Sequence, residues 1–182
     1  MIAVVALNPA LDVTHHVGGV DWAGVNRPTA VRAAPGGKGL NVARTLHALG
    51  AEVLLLGLAG GSTGAAVRSA LHATGVPALF TEIEADTRRT FAVVDTDRGD
   101  VALFNEPGPP VAAGEYGRFL AAYREALGGC AAVVLSGSLP PGLPADAYAS
   151  LTGIAATAGV PAVLDTSGAA LLHGAAAGPA IV

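Results

Sequence analysis

Four short apolar runs, Ile2 to Leu7, Glu52 to Leu58, Ala131 to Ser136 and Pro161 to Asp165, each close on or just before a Gly, Ser, Asn or Asp. Continuous apolar runs of this length are what parallel strands buried on both faces require. Between them the apolar residues change to helical spacing: Val42, Leu46 and Leu49; then Tyr116, Phe119, Leu120, Tyr123 and Leu127; then Tyr148, Leu151, Ala155 and Ala158. Strand alternating with helix predicts an α/β fold, a doubly wound sheet flanked by helices. Ligands of such sheets sit at the carboxyl ends of the strands, so functional residues are expected just after each run.

Two stretches break the alternation. One runs from 13 to 33, the other from 89 to 105, where Thr90 to Asp95 and Val101 to Phe104 flank the turn Thr96-Asp97-Arg98-Gly99-Asp100, a hairpin pattern. Strands placed outside a parallel sheet predict a small β lid over the strand ends. No internal repeat, linker or charge run marks a boundary, so 1–182 is read as one unit, with a helix and a strand over Ala169 to Val182.

Charge narrows the partners. A formal net charge of -4 leaves no diffuse basic surface for a nucleic-acid backbone or an anionic membrane. The first residues lack a positive n-region, and Gly, Pro or charged residues interrupt every apolar stretch before about 18 residues. No membrane span is expected. Cys130 is the only cysteine, so neither an internal disulfide nor a multi-cysteine metal site can form, and a reducing cytoplasm is the expected compartment. The five histidines show no metal-ligand spacing, and Cys130, opening a buried strand, reads as a small core residue.

Chemistry concentrates at Ala34-Pro35-Gly36-Gly37-Lys38-Gly39-Leu40-Asn41-Val42-Ala43-Arg44, a glycine-rich turn running into a helix. Glycines allow backbone N–H groups to approach a ligand, and a helix N-terminus favours anions. Gly39 and then Leu40 follow Lys38 where a Walker A loop needs Ser or Thr directly after its lysine, so this is not a standard P-loop. Gly57 to Gly64 also joins a strand to a helix, but its glycines do not reproduce Gly-x-Gly-x-x-Gly, and it reads as a structural turn.

Gly36-Gly37-Lys38-Gly39-Leu40-Asn41-Val42-Ala43, followed by Gly50 and Gly60, resembles the N-terminal signature of PfkB, ribokinase-like sugar kinases. Asn8-Pro9-Ala10-Leu11-Asp12, Thr87-Arg88, Asn105 to Pro109, Ser136 to Gly142 and Asp165-Thr166-Ser167-Gly168 resemble the phosphofructokinase and tagatose-phosphate kinase branch, in that family's order along nearly the whole chain. The resemblance implies that Asp12 and Asn41 bind sugar hydroxyls, that Gly36, Gly37 and Gly39 bring the backbone close to the substrate, and that Lys38 and Arg88 hold its phosphate, with Ser138 also in contact. Read without the resemblance, Asp12 and Asn41 are equally turn or cap residues, Lys38 and Arg88 solvated charges, and Ser138 part of a rigid connection. Arg89, where related kinases often carry Asn or an aliphatic residue, adds a cation near the phosphate or points outward.

The implied activity is ATP-dependent, Mg2+-assisted phosphorylation of a ketohexose phosphate, namely fructose 1-phosphate, fructose 6-phosphate or tagatose 6-phosphate, to a bisphosphate. The family's Gly-Ala-Gly-Asp and Asn-x-x-Glu motifs are not in these 182 residues. The general-base aspartate and the ATP-binding part are therefore expected beyond Val182, the sheet is expected to be incomplete, and this chain is expected to be inactive alone. Two other readings stay open: a non-catalytic sugar-phosphate-binding module, and a nucleoside kinase of the same fold. Family members often pair such lids, which implies a homodimer through the β strands.

Overall fold

A computed structural model describes all residues, 1–182. The elements run β1 (Ile2–Ala6), β2 (Ala10–Val17), β3 (Ala30–Gly36), α1 (Lys38–Ala48), β4 (Val53–Gly60), α2 (Gly61–His72), β5 (Ala78–Ile83), β6 (Arg88–Asp95) and β7 (Val101–Asn105). They continue with α3 (Ala113–Ala126), β8 (Ala132–Ser136), α4 (Ala147–Thr157), β9 (Ala162–Asp165) and α5 (Gly168–Ala176).

The main sheet is parallel throughout, in the order β5-β4-β1-β8-β9. Strand order departs from β1 in both directions, the topology that opens a crevice at the carboxyl ends of the central strands. Successive β1 residues supply two cores. Ala3, Val5 and Leu7 face α3, α4 and α5 together with Leu56, Leu58, Val133 and Leu135, while Val4 and Ala6 face α1 and α2 with Leu40, Ala43, Leu55, Val67 and Leu71. Both faces of every central strand are thus buried, which is why the strands read as unbroken apolar runs rather than alternating ones. Tyr123 is fully buried in the first core and donates its hydroxyl hydrogen to the Leu151 carbonyl at 3.1 Å, so its one polar atom is satisfied.

The helix over Val42, Leu46 and Leu49 exists, but its buried face is different. Gly39, Leu40 and Ala43 point at the sheet, Val42 and Leu46 are half-buried and Leu49 is 78% exposed. Close approach explains the shift: a β-carbon on Gly39 would lie 2.7 Å from that of Ala6 and 2.8 Å from the Val5 carbonyl oxygen. Small residues, not large ones, seat this helix. The edge strand β5 is an addition to the expected set; Leu79 and Glu82 on it are exposed, so it carries no continuous apolar run. At the other edge α5 forms, and the expected final strand is a single parallel bridge between Ile181 and Val163.

The turn Gly57 to Gly64 is closed from within the chain. The Thr87 hydroxyl bonds both the N–H and the carbonyl of Gly60, and Asp86 accepts the N–H of Thr63 at the start of α2.

The lid is a second, four-stranded sheet in the order β3-β2-β6-β7. It extends the stretches 13–33 and 89–105 at both ends: β2 starts at Ala10 and pairs with β3 as far as Gly36, and β6 starts at Arg88. The β2–β6 pairing is parallel and therefore joins segments far apart in sequence, a contact that no hairpin pattern encodes. At the far end of the lid Asp95, 4% exposed, accepts N–H groups of Val20, Arg98, Asp97 and Gly19 at 2.9 to 3.3 Å. Those bonds hold its carboxyl below the usual carboxylate range and tie the loop after β2 to the β6–β7 turn.

Candidate functional site

A cleft of about 580 Å3 opens between the lid and the carboxyl ends of β1 and β8. Asp12, Gly37, Lys38, Gly39, Asn41, Arg88 and Ser138, drawn from four separate segments, all line it. Asp12 lies on β2 beside Thr90 of β6, and the Thr90 hydroxyl donates to its Oδ1. Gly37, at φ 94, makes the turn into α1 that a side chain would strain, so that Lys38, Gly39 and Asn41 of the first helical turn face the cleft.

Gly36 does not line the cleft. It is buried opposite Ala10 at the end of β3, and a β-carbon there would fall on the Asp12 carboxylate. Its role in this geometry is to leave room for Asp12; Gly39, which does line the cleft, also seats α1 against β1, and Gly37 makes the backbone turn at the cleft wall.

Arg88 opens β6 with its guanidinium clasped by two carbonyls: Nε donates to Asn8 O and Nη1 to Glu106 O, both at 3.2 Å. Burial lowers its pKa, while the neighbouring carboxylates of Asp12 and Glu106 act in the opposite direction. An arginine keeps its charge under such opposition. Arg89 points elsewhere, to the Thr63 hydroxyl at 3.4 Å, in a separate polar depression behind the 105–109 segment. It adds no cation to the cleft.

Lys38 is engaged. Its Nζ lies 3.2 Å from Asp165 Oδ1, and the other oxygen of that carboxylate accepts the Ser136 hydroxyl at 2.9 Å. Both partners of the ion pair are more than half exposed, so an arriving phosphate has only a weak, solvent-screened contact to displace. The loop after β8 is rigid by construction: the Gly137 carbonyl accepts from Thr166 Oγ1 at 2.8 Å and from the Tyr148 hydroxyl at 3.1 Å, and Gly137 N–H reaches the Asp165 carbonyl at 2.9 Å.

Several lining residues were not singled out from the sequence: Asn8, Thr90, Asn105, Glu106, Thr166 and Ser167. Asn8 and Thr166 follow strand ends, where the topology already directs attention. Thr90 is two residues from Arg88 on one strand and so shares its face.

The residues present do not by themselves make a nucleotide site. No group of three metal-ligating side chains forms, and the glycine-rich turn lines the same cleft as Asp12 and Arg88. No chemical step through ATP or magnesium is derived from this chain.

A polar cleft at the strand ends, covered by a β lid and fed by a glycine turn, is the arrangement whose sequence signature was noted above, and the model of the pfkB family of carbohydrate kinases matches residues 6–182. The chain belongs to the pfkB family. The "ATP-dependent 6-phosphofructokinase isozyme 2" of Mycobacterium tuberculosis is 41% identical over 172 residues, covering 94% of this chain and 51% of that protein. The chain thus spans about half the length of the curated relatives it matches. Among solved structures, the tetrameric inhibited form of phosphofructokinase-2 from Escherichia coli superposes with a TM-score of 0.90 at 32% identity, over 96% of this chain and 57% of that one. The same enzyme in complex with fructose-6-phosphate gives 0.87 at 30% identity, over 97% and 58%. The fold is ribokinase-like, and its sheet is incomplete relative to those of the full-length pfkB kinases. No helix is long and apolar enough to cross a membrane.

Proposed function

We propose that the complete protein is a kinase that transfers phosphoryl from ATP to a ketohexose phosphate, and that this chain supplies its sugar-phosphate site. The observation that carries the reading is the meeting, in one cleft, of a carboxylate able to accept two sugar hydroxyls, Asp12, with two cations, Lys38 and Arg88. A nucleoside would leave both cations without a substrate phosphate. Asp12 and Asn41 orient hydroxyls, Arg88 and Lys38 neutralise the phosphate already present, and Ser138 contributes a hydroxyl beside it. The relatives named above, a 6-phosphofructokinase and a phosphofructokinase-2 bound to fructose-6-phosphate, support a fructose phosphate as the substrate class. Because those relatives are about twice as long, the nucleotide, its magnesium and the general base are assigned to residues outside these 182, and the chain alone is proposed to be inactive.

A coupled ADP-release assay with ATP, magnesium and fructose 1-phosphate, fructose 6-phosphate or tagatose 6-phosphate tests this. Turnover by the complete protein and none by the 182-residue chain is the expected result. Turnover by the short chain would overturn its proposed inactivity, and sugar-phosphate binding without turnover in either would favour a binding module.

We also propose that the protein pairs through its lid. Val31 on β3 and Val101, Leu103 and Phe104 on β7, the two edge strands of the lid, are all more than half exposed, and an unpaired edge carrying apolar side chains is open to pairing with another chain; the Escherichia coli phosphofructokinase-2 is described in a tetrameric form. Light scattering on the complete protein at micromolar concentration should give at least a dimer; a monomer there would sink the idea.

A further inference from the structure

Asn8 lies two residues beyond β1 and is 8% exposed. Its Nδ2 donates to the Pro107 carbonyl and to Ser138 Oγ, each at 3.1 Å. Its backbone carbonyl accepts Arg88 Nε at 3.2 Å, and the same guanidinium donates Nη1 to the backbone carbonyl of Glu106, the residue before the Pro107 that the Asn8 side chain holds. One buried residue therefore joins the guanidinium at the start of β6, the segment leaving β7 and the loop leaving β8.

The amide has no freedom to turn. Pro107 offers a carbonyl, which only accepts, so the NH2 group must face it. Asn8 Oδ1 is consequently buried without any partner. Leaving a buried acceptor unpaired destabilises a fold. Gly108, at φ +103, lies against this amide, and a β-carbon there would overlap it, so the neighbouring backbone is shaped around Asn8 as well. A side chain held so firmly in an arrangement that costs stability points to a gain elsewhere, and what the arrangement fixes is the placement of Arg88 relative to Ser138.

We propose that Asn8 is a positioning residue, which sets Arg88 and Ser138 against one another and thereby governs affinity for the phosphate of the sugar phosphate. The inference rests on the sugar-phosphate reading of the cleft. Asn8 acts through Arg88 and Ser138 and makes no bond to the sugar itself.

Asn8→Leu separates this role from a purely structural one, because leucine has nearly the same shape, carries no charge and removes the unpaired oxygen. In the complete protein the variant should bind fructose 6-phosphate about tenfold more weakly by calorimetry, and bind fructose within about twofold of wild type. The Asn8 backbone carbonyl survives the substitution, so the signal to follow in NMR is Arg88 Nη1–H, which should exchange faster in the variant because the Pro107 carbonyl beside its Glu106 acceptor is no longer held. Equal weakening for both sugars, or unchanged fructose 6-phosphate affinity, would overturn the proposal. If wild type binds no sugar phosphate, the substrate reading fails on its own account, and an unaltered Arg88 Nη1–H signal in Asn8→Leu would then overturn the positioning role independently. Should Asn8→Leu not fold, Asn8→Ala is measured in the same way and judged by the same outcomes.

Discussion

Arg88→Ala should lower kcat/KM for a ketohexose phosphate by about a hundredfold, while kcat/KM for the phosphate-free ketohexose, if turnover is measurable, changes no more than about threefold. Two carbonyls already hold Nε and Nη1, so the guanidinium is pre-oriented where it lines the cleft. Pre-orientation is what makes such a group expensive to lose, since the substrate gains its charge-assisted bonds at little entropic cost. Arg88→Lys should recover only part of the loss: an ammonium keeps the charge but cannot satisfy two carbonyls and a phosphate in a fixed plane. A loss of equal size for both sugars would mean that Arg88 holds the lid in place and does not recognise the phosphate. Steady-state kinetics with fructose 6-phosphate and fructose decide between these.

Arg88 also shows where sequence reading succeeds and where it stops. The resemblance of Thr87-Arg88 to the family's motif places it at the substrate phosphate, while the predicted lid stretch begins one residue later, at 89. Its clasp by Asn8 and Glu106 depends on a parallel β2–β6 pairing across 78 positions, Asp12 against Thr90, for which no local pattern exists. The central strands were legible for the opposite reason: β1, β4 and β8 are covered on both faces, so composition alone marks them, whereas edge strand β5 mixes Thr81 and Glu82 with Leu79 and Phe80 and loses the signal.

Helix α1 fails in an instructive way. Periodicity arguments weight large residues, and so they select Val42, Leu46 and Leu49. The contact that governs this helix is the backbone-close approach of Gly39 and Ala43 to β1, where size would be a fault. The same blindness hides Gly36, which a sequence motif marks for approach to substrate and which the fold uses to make space for the Asp12 carboxylate.

Gly36→Ala tests that last distinction. Gly36 is not among the glycines with positive φ, so alanine carries no backbone penalty there, and its only conflict is the overlap of the new β-carbon with the Asp12 carboxylate. Either Asp12 leaves Thr90 and swings away, or β2 and β3 spread at the Ala10–Gly36 pair. Overpacking of this kind costs about 1–3 kcal/mol, which for a chain of this size lowers Tm by about 5 °C. Displacing Asp12 from its place in the cleft should reduce kcat/KM about a hundredfold in the complete protein, since a small misplacement of an orienting group is enough. The informative experiment is the cycle with Asp12→Ala. With the carboxylate gone the added methyl has room, so Gly36→Ala should cost almost no Tm in the Asp12→Ala background, yet activity should stay as low as in Asp12→Ala alone. A glycine required for its own backbone contact with the substrate would behave differently, adding a further loss of activity on top of Asp12→Ala and leaving Tm unmoved in both backgrounds.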